Sequence, residues 1–308
     1  MSDEVTSARP TTEGPSPDSI ATSSVRPRPS ARRVLLRVLL AFGLLGLAAV
    51  GGYLGFRQVL VQQAKNTPMK HFAAATATVG NDVWVDESPS HEVQLDAFSL
   101  DRTEVIVRAY RVCMEEGGCT APASGADCNL TSGERRDDHP INCVTYDQAA
   151  AFCAWAGKRL PTEHEWEHAA RTERARAKEL FPWGDSAPDA TRSNACGAEC
   201  AKLFGERGEQ LSPMHDADDG FPLTAPVASF PKGATSEGLF DMAGNVWEWT
   251  KSPHCAYRAK SCDHDDAFVI RGGGYRSNEA RTLEVTSRAR LARGDATEAV
   301  GFRCARDG

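Results

Sequence analysis

A chain of 308 residues has room for one large domain or two small ones. Its net charge of −7 and pI near 5.7 argue against a nucleic acid as its main partner. Residues 1–33 are rich in Ser, Thr, Pro and Arg and poor in large apolar side chains. Such a tail buries too little surface to offset its ordering entropy, so it reads as disordered. From Val38 to Phe56 no residue is charged, and Leu, Ala, Val and Gly dominate. At about 1.5 Å per helical residue this stretch nearly spans a hydrocarbon core of about 30 Å. The expected organisation is a transmembrane anchor over 34–56, a juxtamembrane linker over 57–75 and an exported domain over 76–308. Arg26, Arg28, Arg32, Arg33 and Arg37 precede the anchor and place the N-terminus on the cytoplasmic side. The expected location is the inner membrane, crossed once, with the domain periplasmic or extracellular. A cleavable signal peptide competes with this reading, but its apolar core is normally shorter and closer to the N-terminus.

The ten cysteines all lie between Cys113 and Cys304, in the exported part, and their even count suggests a disulfide framework. Cys113–Cys119, Cys196–Cys200 and Cys255–Cys262 are plausible local pairs, although spacing does not fix connectivity. No repeat of 20–50 residues is present, which argues against a solenoid or propeller. In the His91–Asp101 stretch Val93, Leu95 and Ala97 alternate with polar residues, as in a half-buried strand. A short helix is expected from Val105 to Met114. Thr145 with Gln148, an apolar run and then Gly157 predict a capped and stopped helix. Thr162 with Glu165 forms a second capping box, opening a helix to about Arg171. Beyond Phe181, Gly, Pro, Asp and Asn are frequent and periodicity is weak, so loops, disulfides and ions are expected to hold much of the domain.

Two stretches invite chemistry. His164-Glu165-Trp166-Glu167-His168 matches the H-E-x-x-H pattern that offers two imidazoles to zinc on one helix face, with the Glu as general base. Against it, Glu165 already has a capping role, and the metzincin extension wants Gly and His where Arg171 and Arg174 stand. A surface-helix coincidence is the plainer reading. The second stretch is Gly238-Leu239-Phe240-Asp241-Met242-Ala243-Gly244-Asn245-Val246-Trp247-Glu248-Trp249. Asp241, Asn245 and Glu248 are oxygen donors, and Gly238 and Gly244 permit tight turns where carbonyls converge, as a hard cation such as calcium requires. In an extended backbone Trp247 and Trp249 share one face and Glu248 takes the other. A tight turn leading into a Trp-rich core strand accounts for the same residues without an ion.

The second stretch resembles the signature of the formylglycine-generating-enzyme, or sulfatase-modifying-factor, family. Further matches follow the family's order: Gly157 to Glu163 with Glu165-Trp166-Glu167, Phe181-Pro182-Trp183-Gly184, Arg271-Gly272-Gly273-Gly274-Tyr275, and Gly301-Phe302-Arg303-Cys304. The resemblance covers roughly residues 76–308 and implies an irregular, loop-rich α+β fold of C-type-lectin-like kind. It implies a disulfide between Cys153 and Cys304. A second disulfide common in the family would fall at Ala170 and Ser287, so both its partners are absent. It also implies two calcium sites that stabilise the fold, one on Asn194, Ala195, Asp219 and Phe221, the other on Asp241, Gly244, Val246 and Glu248. For Asp216, Asp218 and Asp219 a solvated acidic loop is the alternative.

Members with the oxidase activity convert a substrate cysteine to formylglycine with two cysteines that bind copper(I), a soft ion suited to thiolates. Counted from Arg271, those positions fall on Ser277 and Thr282, and no cysteine lies between Cys262 and Cys304. Hydroxyls replace neither the copper ligands nor the redox cycle, so copper is not expected. A candidate ligand cleft is implied at Trp247, Gly274, Tyr275, Arg276 and Ser277, an aromatic wall with glycine backbone and hydroxyls suited to a peptide or small ligand. Arg271 reads as a buried packing residue, and Arg281, Arg288, Arg290 and Arg293 either steer an acidic ligand or form a solvated face. The leading expectation is a membrane-anchored binding or accessory module for an unidentified peptide, protein or small ligand. The alternatives are an oxidoreductase of the same superfamily, formylglycine-generating or using a non-heme metal, and a zinc hydrolase through His164, Glu165 and His168.

Overall fold

In a computed structural model the described residues are 30–171, 180–259 and 266–308, so most of the tail and Cys262 lie outside them. The chain divides into two units, Met1–Leu54 and Gly55–Gly308. Helix α1, Ala31–Lys65, carries the apolar stretch, and Val34–Lys65 is long and apolar enough to cross a membrane. The helix does not stop at the first charge after the apolar run. Arg57 pairs with Glu116 at 2.6 Å, Ala64 is buried, and the Lys65 ammonium sits 4.5 Å over the Trp155 ring. Strand β1, Met69–Phe72, then follows at once. Within residues 57–75, the stretch to Lys65 is helical and Met69–Phe72 is a strand, so this span carries regular structure and packs on the domain. The reason is that a charged residue ends membrane compatibility without ending helical hydrogen bonding.

Strand β2 (Ala75–Val79) forms an antiparallel hairpin with β3 (His91–Leu95), and β4 (Phe98–Asp101) follows. The single strand expected over 91–101 is thus two, broken at Asp96-Ala97. Helix α2 is Val107–Glu115, α3 Tyr146–Trp155 and α4 Glu163–Ala170. Both expected capping boxes form: Thr145 with Gln148, and Thr162 with Glu165, each side chain satisfying an orphan backbone N–H of its helix end. Gly157 ends α3 with φ of 72°, a left-handed turn that glycine adopts without strain. Helix α5 (Ala198–Glu206) forms in the region of weak periodicity, where loops are expected. Strands β5 (Trp247–Pro253), β6 (Ala267–Arg271), β7 (Arg288–Ala292), β8 (Val300–Gly301) and β9 (Ala305–Asp307) complete the domain.

The sheets are β1-β4-β9, β2-β3 and β7-β6-β5-β8. The last is antiparallel except where β8 runs parallel to β5. One core packs Tyr110, Phe152, Trp249, Ile270 and Phe302 between α2, α3 and the four-stranded sheet; a second packs Phe72, Phe98, Leu100, Trp166 and Met242 under α4. Each fully buried Phe or Leu contributes roughly 1.5–3 kcal/mol relative to exposure. Disulfides join Cys113–Cys119, Cys128–Cys143, Cys153–Cys304 and Cys196–Cys200. Cys153–Cys304 ties α3 to the chain's last strands across 151 residues, as the resemblance implied. The Cys255–Cys262 pairing lies outside the described residues.

Candidate functional site

The 238–249 stretch is bent at four positions of positive φ, 74° at Gly238, 56° at Asp241, 91° at Gly244 and 60° at Asn245. Gly244 is obligatory on a second ground, because a Cβ there would stand 2.3 Å from the Asn194 carbonyl oxygen. Asn245 uses its whole amide. Its Nδ2 donates to Glu104 Oε2 at 2.9 Å, and its Oδ1 accepts from Ala225 N at 2.9 Å. Its backbone N–H donates to the Asn194 carbonyl at 2.8 Å, latching the two implied cation sets together. In β5 the two tryptophans face one core and Glu248 the other side, as alternation requires.

Glu248 is fully buried and accepts from Trp166 Nε1 at 2.8 Å and from Arg303 Nε and Nη2 at 2.7 Å each. Arg303 also donates to the carbonyls of Asp101 and Phe240. Around this single guanidinium stand three buried carboxylates: Glu248, Asp241 and Glu104. Burial, with the repulsion of Glu248 added, pushes Asp241 up to about 6 despite the Ala228 N–H that it accepts. Burial, with Asp241 and Glu248 beside it, raises Glu104 well above the carboxylate range. The set is short of positive charge. Glu104 carries no local signal for this role, since its partner Asn245 lies 141 residues away.

At the other set, Asn194 is 1% exposed and its Oδ1 has no hydrogen-bond partner. Asp219 Oδ1 accepts from the Phe221 N–H at 2.8 Å, while its Oδ2 is buried without a partner. The Ala195 backbone is near enough to this carboxylate to favour its charged form, which places it beside Asn194. Burial and the neighbouring Glu199 push Asp219 up to about 7. Oxygens of Glu199, Asp218 and Asp219 lie within 4.8 Å of one another, the one such three-residue cluster of possible metal ligands among the described residues. Orphaned, buried, hard oxygen donors with surplus negative charge fit calcium. Glu199 belongs to none of the family motifs, and its one local signal is its place inside Cys196-Gly-Ala-Glu-Cys200.

The residues of the candidate cleft are brought together. Tyr275 N donates to the Asn245 carbonyl at 2.8 Å, Trp247 N to that of Ala299 at 2.9 Å, and Gly274 N to Ser277 Oγ at 3.1 Å. Tyr275, however, is buried against Phe204, Leu223 and the Cys196–Cys200 disulfide, so its ring does not line an open wall. Trp247 and Arg276 are the half-exposed members, and Arg276 is stacked on Phe204 at 4.3 Å and paired with Glu298 and Glu209. Thr282 Oγ1 donates to the Glu279 carbonyl. Every described cysteine is disulfide-bonded.

The basic segment divides. Arg271 is fully buried between Glu163 and Glu167, and Arg288 also binds Glu163 at 2.8 Å. Arg281 stacks 4.0 Å over Trp84, and Arg293 pairs with Asp147 at the surface. The H-E-x-x-H histidines face different neighbours: His164 the rings of His91 and Tyr257, His168 those of Phe72 and Phe98. Glu165 is held by Arg159 at 2.7 Å. The structure does not assemble these three into one metal site.

Comparison with known proteins places this geometry. The profile of the sulfatase-modifying factor enzyme 1-like domain matches residues 58–308. The chain is 30% identical over 272 residues to the formylglycine-generating enzyme of Streptomyces coelicolor, covering 72% of this chain and 82% of that protein. It is 33% identical over 193 residues to hercynine oxygenase of Mycolicibacterium thermoresistibile, covering 54% of this chain and 38% of that one. It is 37% identical over 175 residues to inactive C-alpha-formylglycine-generating enzyme 2 of Bos taurus, covering 54% and 50%. Matches to the hercynine oxygenase and to the mouse and bovine formylglycine-generating enzymes span half or less of those relatives' own length. The structure of PvdO from Pseudomonas aeruginosa shares the fold, with a TM-score of 0.59 at 24% identity over 79% of this chain and 95% of that one. The signature turn, the buried Glu248–Arg303 pair and the matched span together make this chain a member of the sulfatase-modifying-factor, or formylglycine-generating-enzyme, family.

Proposed function

We propose that the chain is a membrane-anchored, extracytoplasmic member of this family that binds a peptide, protein or small ligand rather than oxidising one. The observation that carries the reading is the state of the sulfur. Ser277 and Thr282 stand where the resemblance puts the copper-binding pair, and no described cysteine is free. A copper(I) centre needs thiolates, and hydroxyls bonded to Gly274 N and the Glu279 carbonyl do not supply them. The inactive C-alpha-formylglycine-generating enzyme 2 of Bos taurus gives a precedent for loss of the activity in that protein. An apolar helix followed by a disulfide-bonded domain supports single-pass anchoring in an oxidising compartment.

Calcium is the proposed ion. Asn194 Oδ1, the Ala195 carbonyl, Asp219 and the Phe221 carbonyl form one set; Asp241, Glu248 and the carbonyls of Gly244 and Val246 form the other. The orphaned oxygens support the first set, and the crowding of Asp241, Glu248 and Glu104 around the single Arg303 guanidinium supports the second. Bound calcium supplies positive charge that joins loops and adds stability by mass action. The test is to incubate the full chain in detergent with copper(I), oxygen and a peptide bearing the family's substrate cysteine. No aldehyde should form and no copper should be retained. Aldehyde formed at catalytic turnover would overturn the reading.

A further inference from the structure

We propose that Glu199 is a direct ligand of the cation at Asn194 and Asp219, held in place by the ring that the Cys196–Cys200 disulfide closes. The inference rests on the calcium reading of that set and adds a ligand and a dependence on the disulfide. Cys196 follows Asn194-Ala195 directly, and the bond to Cys200 closes a ring containing Gly197, Ala198 and Glu199 at the start of α5. Gly197 has no room for a side chain: a Cβ there would lie 2.6 Å from the Ala217 carbonyl and 2.8 Å from Glu199 Oε1. The Glu199 carboxylate therefore folds back over its own ring, towards the 217–219 loop.

There it takes one bond and leaves one oxygen over. Glu199 Oε2 accepts from the Asp219 N–H at 3.3 Å, while Oε1 is buried without a partner. Asp219 Oδ2 and Asn194 Oδ1 are in the same condition, and Asn194 is itself almost wholly buried. Three orphaned oxygens on three residues, two of them carboxylates at close range, suit a hard cation. The disulfide also meets the candidate cleft. Cys196 N donates to the Ser277 carbonyl at 2.9 Å, and Cys200 Sγ lies 3.6 Å from the Tyr275 carbonyl. Cation, ring and the 274–277 segment thus form one connected unit.

The experiment is calorimetric titration with calcium chloride of the full chain in detergent, after calcium removal, for the wild type, Glu199→Gln and Glu206→Gln. Glutamine keeps an oxygen to accept from Asp219 N–H but removes the charge. One equivalent of calcium should bind at least about tenfold more weakly to Glu199→Gln, with Glu206→Gln unchanged. The calcium-free Glu199→Gln protein should melt no lower than the wild type, because carboxylate repulsion has been relieved. A purely structural Glu199 would do the reverse, lowering calcium-free stability and leaving the affinity intact, and that result overturns the inference. Cys196→Ser with Cys200→Ser should weaken the same equivalent. Unchanged affinity in that folded double variant would remove the disulfide from the account. If the wild type binds no calcium, the calcium reading itself falls as well.

Discussion

Replacing Arg303 by Met is the sharpest test of how this scaffold is held. The guanidinium is fully buried and makes two bonds of 2.7 Å to Glu248, with two more to backbone carbonyls. Methionine fills much of the space but leaves Glu248 with only the Trp166 indole as donor. It also takes from Glu104 and Asp241 the cation that lowers them both. Breaking one side of a buried ion pair costs about 3–5 kcal/mol. In a domain of this size each kcal/mol moves the melting temperature by roughly 2–4 °C, so a drop on the order of 6–20 °C is expected. Urea and thermal unfolding of the calcium-free full chain, followed by near-UV circular dichroism, would measure it. Adding Glu248→Met to the variant should recover part of the loss, because an apolar pair no longer strands a charge. A loss under about 1 kcal/mol would mean that Glu248 finds another cation or a proton at little cost, and would refute the charge argument.

Three further outcomes follow from the same geometry. Replacing Cys153 and Cys304 by Ala opens a crosslink spanning 151 residues and should cost roughly 5 kcal/mol on the chain-entropy account, read as a lowered urea midpoint. Calcium-free protein should lose stability as pH rises from about 4 to about 7. Asp219, pushed up to about 7, and Asp241, pushed up to about 6, hold protons in the folded state that the unfolded chain releases. Saturating calcium should flatten that slope, and a melting curve taken at several pH values with and without the ion checks both statements. His164→Ala should change stability by less than about 1 kcal/mol and leave zinc content untouched, because Nε2 has no partner and His168 faces elsewhere.

What the sequence made legible was local. Both capping boxes, the Gly157 stop and the bent 238–249 turn depend on residues within a few positions of each other, and each formed. The missing parts depend on distance. Glu104 joins the signature turn across 141 residues, and Arg303 reaches Glu248 across 55. Nothing in the neighbours of either residue announces that contact. Helix α5 went unseen because its amphipathic pattern is short and opens with a disulfide ring rather than a Ser, Thr, Asp or Asn cap. The helical continuation to Lys65 was not legible because Arg57 ends the apolar run without ending the backbone hydrogen bonding. Cys128–Cys143 pairs across a loop whose closure only the fold specifies.

The most direct measurement of the central claim is metal content by mass spectrometry on the full chain, purified oxidised in detergent without chelator. The account predicts roughly two calcium ions per chain, with no stoichiometric copper, iron or zinc. Stoichiometric copper or iron would contradict it and return the chain to the oxidases.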